Sequence, residues 1–189
     1  MSALVLGCFA AIILWGRFGA VKFYQRKGMT MSIQESTHVI GVHHVGLSAR
    51  DPAALAAFYH DVLGLKVVGG STADTPVFGA TAFLSSHPAE ESHDLAFFAN
   101  PAYQHTAFKV RSLAQLRAIY QRILGQGVPV KMAFNHGVSL AFYFEDPEGH
   151  LIEVYWPTGR AWRQPYGVPI DLTLSEEALQ RQVRELAVG

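Results

Sequence analysis

From residue 39 onward the apolar and polar positions change period in a fixed order, and that order occurs twice. An extended stretch over 39–48 is followed by Asp51-Pro52, then by Leu55, Phe58, Tyr59, Val62 and Leu63 at helical spacing, with Gly64 to end the helix. Short extended stretches at 66–68, 81–84 and 94–98 complete the first pass. The second pass opens with 105–110, continues with a helix over 112–124 that ends near Gly125 and Gly127, and finishes with strands near 130–134, 138–145 and 150–156. Both passes read strand, helix, strand, strand, strand. The pattern predicts an α+β domain over 38–157, built of two βαβββ modules at 39–99 and 103–156.

The ends of the chain read differently. Residues 3–15 are almost unbroken apolar, followed by Arg17, Lys22, Arg26 and Lys27. The run is shorter than the ~20 residues of a spanning helix, and neither a basic residue before it nor a small-residue cleavage site after it marks it as a leader. Residues 1–30 therefore read as a membrane anchor, a signal-like segment, or an upstream extension with Met29 or Met31 opening the working protein; the last is favoured. The tail, 158–189, is a loop with Trp162 and Tyr166, then a helix begun at Ser175 with a stripe of Leu179, Val183 and Leu186. Trp156, Trp162 and Tyr166 either close one end of the cavity or meet another subunit, and a homo-oligomer is expected.

Composition removes some classes of partner. Fifteen basic and fifteen acidic residues leave no field to collect nucleic acid. The apolar half of the 189 residues suffices for a substantial core. One cysteine, Cys8, permits no internal disulfide and fits a reducing, cytoplasmic setting, a tether through residues 1–30 being the alternative.

The chemistry concentrates in the last hairpin. With Pro147, Glu148 and Gly149 as its loop, Asp146 lies opposite His150, and counting back places Tyr143 opposite Glu153 on one face. Glu153 is a lone acid on an apolar strand and needs a positive or hydrogen-bonding partner if buried. His44 and His105 lie in the matching first strands of the two modules, each as His-x-x-large apolar, and so should hold equivalent places. Two histidines and one carboxylate leave coordination positions open and are diagnostic of non-haem Fe(II) oxygen chemistry. Taken singly, each has an ordinary explanation: a strand histidine, a surface strand start, a hydrogen-bonded acid.

His136, five residues, Phe142-Tyr143, two residues, Asp146-Pro147, one residue, Gly149, three residues, Glu153 resembles the signature of the type I extradiol ring-cleavage dioxygenases of the vicinal-oxygen-chelate superfamily, and the likeness covers about 39–156. Phe134 departs from it, standing where the signature has a small, polar or β-branched residue. The resemblance implies a metal-centred barrel with His44, His105 and Glu153 as ligands, Fe(II) as cofactor (Mn(II) or another divalent metal as the alternative), and a catechol-type aromatic diol and O2 as substrates. Ser92-His93-Asp94-Leu95-Ala96 is similar to the segment that brings a non-ligand histidine, here His93, to the oxygen site. Neutral histidine suits the removal of a catechol proton, which makes His136 the candidate base, while Tyr143 would hydrogen-bond the ring oxygen or deliver a proton. Against these stand a strand-start role for His93, a turn role for His136 and a core role for Tyr143. His43, His60, His87 and His150 read as structural. Glyoxalase I-type members take a further carboxylate from the last strand of the first module, which is apolar here. A glyoxalase-type metal-dependent lyase or isomerase, and a non-catalytic small-molecule-binding protein like the bleomycin-resistance proteins, remain the alternatives.

Overall fold

The computed structural model describes residues 39–73, 78–90 and 92–186. Cys8 and the apolar N-terminal run lie outside these residues. Among the described residues, no helix is long and apolar enough to cross a membrane.

The first module comprises β1 (Gly41–Ser48), α1 (Pro52–Leu63), β2 (Lys66–Ser71), β3 (Thr81–Ser85) and β4 (Leu95–Phe98). The second comprises β5 (His105–Lys109), α2 (Leu113–Gly125), β6 (Val130–Asn135), β7 (Ser139–Glu145) and β8 (Leu151–Pro157); β9 (Val168–Pro169) and α3 (Glu176–Glu185) follow. The helix starts obey the capping chemistry of their sequences: the side chains of Asp51, Ser112 and Ser175 accept from Ala54, Gln115 and Ala178 amides. Two elements stand outside the predicted pattern, the 3-10 turn Pro101–Tyr103 between the modules, which Asn100 caps and Pro101 opens, and the two-residue β9.

All strands join one nine-stranded sheet in the order β2-β3-β4-β1-β5-β8-β7-β6-β9, curled into a half-barrel. Within each module the first strand runs parallel to the last, β1 to β4 and β5 to β8, and the modules meet through antiparallel β1 and β5. That seam pairs His44 with Ala107 and Gly46 with His105. A pseudo-two-fold axis through the Val45–Thr106 pair exchanges those two pairs, so His44 and His105 are structurally equivalent. The same exchange carries Gly46↔Ala96 onto Ala107↔Glu153, and Phe83↔Ala96 onto Tyr143↔Glu153. The first module thus holds Ala96 where the second holds Glu153, and Phe83 where the second holds Tyr143.

Side chains alternate across the sheet with period two. On the convex face Leu140, Phe142 and Val154 pack with Leu113, Leu116 and Ile119 of α2 and with Leu172, Leu179 and Val183 from the tail. A smaller cluster, Ala56, Ala82, Leu84 and Phe97, lies under α1. The apolar stripe of α1 is only partly used: Phe58, Val62 and Leu63 stay 56%, 59% and 63% exposed. Helical periodicity located the helix, but among the described residues the first module has no counterpart of the tail to cover it. The concave face carries Tyr143, Tyr155, Ala107, Phe83 and Phe98, the walls of the site.

Candidate metal centre

The β7–β8 hairpin forms as its turn chemistry requires. The Asp146 amide donates to the His150 carbonyl at 3.1 Å and the Gly149 amide to the Asp146 carbonyl at 3.0 Å, with Gly149 at φ +85°. This register sets Tyr143 directly across from Glu153, with both side chains on the concave face.

There His44, His105 and Glu153 converge, each under a tenth exposed. Glu153 Oε2 is 3.1 Å from His44 Nε2 and 3.1 Å from His105 Nε2, and the two nitrogens are 3.2 Å apart. Two strand details allow this. A bulge places His43 out of register beside His44. Gly46, opposite His105, leaves room for the imidazole, since a Cβ there would sit 2.5 Å from the ring.

The charge states suit a cation. His105 Nδ1 donates to the Tyr103 carbonyl at 2.6 Å, which leaves Nε2 as the lone-pair nitrogen of the neutral ring. That lone pair faces an anionic carboxylate oxygen, an arrangement stable only with a positive charge between them, either a second proton or a metal ion. Burial pushes the Glu153 carboxyl up, but the charge of His44 and the hydrogen bonds from His105 and His44 prevail and hold it well below the usual range. Burial lowers His44, with Glu153 opposing; at His105 burial is outweighed by Glu153 and the Tyr103 carbonyl, and the ring is raised. Three donors ~2.1 Å from one ion along mutually perpendicular directions would stand ~3 Å apart, close to the triangle seen here. The residues fit a facially bound divalent ion, and among the described residues they are the group of His, Cys, Asp and Glu side chains spaced for one.

The other candidates line the same cavity. His93 lies 4.3 Å, centroid to centroid, from the His44 ring and 5.1 Å from Phe83, and its Nδ1 is 3.1 Å from Ser92 Oγ. Burial and then His44 hold it well below the ordinary histidine value. Its neighbour Asp94 points away and accepts from the Ser86 amide and hydroxyl at 2.5 Å. His136 Nε2 accepts from the Tyr143 hydroxyl at 3.0 Å, while its Nδ1 donates to the Tyr166 carbonyl at 2.6 Å. Burial lowers His136; burial, then Glu153, pushes the Tyr143 phenol well above its usual value. Of the histidines read as structural, His60 binds the Leu65 carbonyl and His150 pairs with Asp146.

Aromatic side chains complete the walls: Phe78, Phe83, Phe98, Tyr103, Phe134 and Tyr166. Phe134, the departure from the signature, stands 5.5 Å from the His136 ring and 6.3 Å from Tyr143 and narrows the cavity beside them. The tail residues Gln164, Pro165 and Tyr166 also reach the cavity. Tyr166 closes it, as one sequence reading had it, whereas Trp156 packs on the convex side. Gln164 carries no sequence signal, because its partners are backbone groups distant along the chain.

A family model described as the Glyoxalase/Bleomycin resistance protein/Dioxygenase superfamily matches residues 41–154. Among characterised proteins, biphenyl-2,3-diol 1,2-dioxygenase 3 of Rhodococcus globerulus is 29% identical over 123 residues, covering 59% of this chain and 60% of its own length. Metallothiol transferase FosB of Shouchella clausii (strain KSM-K16) is 29% identical over 125 residues, covering 64% of this chain and 82% of its own. The crystal structure of the 2,3-dioxygenase LapB from Pseudomonas sp. KL28 superposes with a TM-score of 0.55 at 23% identity, over 70% of this chain and 46% of that one, a likeness of fold. The chain therefore spans less than two thirds of the dioxygenases it matches.

Proposed function

The chain belongs to the glyoxalase/bleomycin resistance protein/dioxygenase superfamily, and from that membership and the geometry of its cavity we propose that it is an Fe(II)-dependent extradiol dioxygenase acting on a catechol-type diol. The observation that carries the reading is the His136–Tyr143 hydrogen bond in the cavity of the three-ligand cluster. His44, His105 and Glu153 would hold the ion. A redox-active ion held there would supply a common binding point for diol and dioxygen and electron transfer between them.

The chain's own groups supply the proton chemistry. His136 is neutral and presents the Nε2 lone pair to the cavity through Tyr143. A diol hydroxyl that donates to Tyr143 Oη loses its proton as Tyr143 gives its own to His136 Nε2, so one proton moves from substrate to imidazole and the phenol is regenerated. The high phenol pKa keeps Tyr143 protonated, a relay and donor rather than a resting anion. His93, beside His44, offers a hydrogen bond on the dioxygen side. The aromatic walls hold a flat ring by stacking and edge contacts and exclude water. Ala96, in the place equivalent to Glu153, leaves the cluster without the further carboxylate of a glyoxalase I-type site.

A second reading, a metal-dependent transferase or isomerase, is favoured by one fact: the metallothiol transferase is matched over 82% of its length, the dioxygenase over 60%. Oxygen uptake separates the two. Anaerobically Fe(II)-loaded protein given a panel of catechols should consume one O2 per ring opened, and His136→Gln should keep its iron and lose turnover ~10²- to 10⁴-fold. Iron-loaded protein that consumes no oxygen with any of the panel overturns the dioxygenase reading.

A further inference from the structure

The tail closes a gap that the two modules leave. The sheet ends at β2 on one side and, without the tail, at β6 on the other. β9 adds to β6 through Phe134↔Pro169 and Asn135↔Val168. Just before β9 the chain reaches the far end of the sheet, where the Gly70 amide of β2 donates to the Gln164 carbonyl at 3.4 Å. The segment 164–169 is thus a strap from one edge of the half-barrel to the other, and Gln164, Pro165 and Tyr166 face the cavity it crosses.

The Gln164 side chain is used at both ends. Its Nε2 donates to the His136 carbonyl at 2.8 Å and its Oε1 accepts from the Tyr166 amide at 3.3 Å. Both partners are backbone groups of fixed polarity, so the amide has one orientation; turned over, it would set donor against donor and acceptor against acceptor. This clamp ties Tyr166 to the His136 loop, and the Tyr166 carbonyl accepts from His136 Nδ1 at 2.6 Å. A carbonyl only accepts, so in the neutral ring the proton is on Nδ1 and the lone pair on Nε2, the nitrogen that faces Tyr143. Gly167 lies against the same ring, where a Cβ would be 3.3 Å from Nδ1. The modules provide the histidine, but the strap provides the acceptor that decides which nitrogen it offers.

We propose that Gln164 is a positioning residue: by clamping the strap it fixes the His136 tautomer that presents Nε2 as proton acceptor toward the cavity. The catalytic consequence rests on His136 acting as the base, as argued above, whereas the tautomer itself does not. The test uses the full chain and three variants, Gln164→Met, which removes both hydrogen bonds at similar length, Gln164→Glu, which opposes a carboxylate to the His136 carbonyl, and Gly167→Ala, whose Cβ 3.3 Å from Nδ1 requires strap or ring to give way slightly. Imidazole ¹⁵N NMR with Zn(II) as a diamagnetic occupant of the cluster reads the tautomer, and oxygen uptake with catechol reads turnover per bound Fe(II). The parent should show His136 protonated at Nδ1. The Gln164 variants should show loss of that single tautomer and a fall in kcat of tenfold or more, with metal stoichiometry retained and KM changed less than kcat. If both fail to fold, Gly167→Ala should show the same change in smaller degree. An unchanged tautomer in the folded variants, or turnover within twofold of the parent where the parent turns over, overturns the proposal. If the parent consumes no oxygen, the dioxygenase reading fails and the tautomer alone decides the role of Gln164.

Discussion

The two modules share element order, strand pairing and the position of one histidine, and they differ in nearly everything that bears on chemistry. Equivalent places hold His44 and His105, but Ala96 faces Glu153 across the pseudo-two-fold and Phe83 faces Tyr143. The first module brings His44, His93 and an aromatic wall to the cavity; the second brings His105, Glu153, the Tyr143 phenol and His136. Their outer faces differ as well. α2 buries Leu113, Leu116 and Ile119 beneath a tail that adds Leu172, Leu179 and Val183, whereas among the described residues α1 has no such cover. A repeated backbone specifies places, and each copy fills those places separately. An asymmetric cavity is the result.

The largest expected effect comes from making the modules alike. Ala96→Glu would place a carboxylate where the axis carries Glu153, offering a bound ion a fourth donor and removing an open position. The variant should still bind one divalent ion, measured by metal analysis, and its oxygen uptake should fall by at least ~10²-fold, comparable to loss of a main catalytic contribution. Full turnover at full iron content would mean that the two positions are not equivalent around the ion.

A smaller effect separates the helices. Leu116, fully buried in the large cluster, should cost ~2–5 kcal/mol when replaced by alanine. Phe58, 56% exposed on α1, should cost less than ~1 kcal/mol for the same truncation. Urea denaturation of the two variants checks the contrast. Equal losses would show that α1 is buried in solution after all.

The smallest effect concerns the turn. His150 is exposed and its hydrogen bond to Asp146, with the charge of that carboxylate, raises it above the ordinary value of 6.5. A raised histidine adds stability that is fully present below 6.5 and is lost as the pH rises through the folded-state value. Its NMR titration midpoint should lie above 6.5 and return toward it in Asp146→Asn. A midpoint at or below 6.5 in the parent would show that the pairing does not form in solution.

Much of the site was legible in the chain because it rests on local devices. The Pro147–Gly149 turn fixes the register of β7 and β8, and that register alone sets Tyr143 beside Glu153. His44 and His105 were readable because the pattern of strands and helix repeats around them. His93 drew on the resemblance, and the structure brings it against His44. The strap left no trace of this kind. β9 is two residues long and one is proline, so no alternation marks it. The acceptors that set the His105 and His136 tautomers are the backbone carbonyls of Tyr103 and Tyr166, which carry no side-chain signature. The exposure of Phe58, Val62 and Leu63 on α1 was not legible either, since a helical stripe reports which residues share a face and says nothing about whether another element covers it.

On the proposed reading both modules hold one metal ion, with Glu153 supplying what the first module lacks. Iron content after anaerobic loading and gel filtration tests it directly. The parent chain should retain one Fe(II) per molecule, and Glu153→Ala, its fold verified by circular dichroism, should retain essentially none. Stoichiometric iron in the folded Glu153→Ala variant would contradict the account.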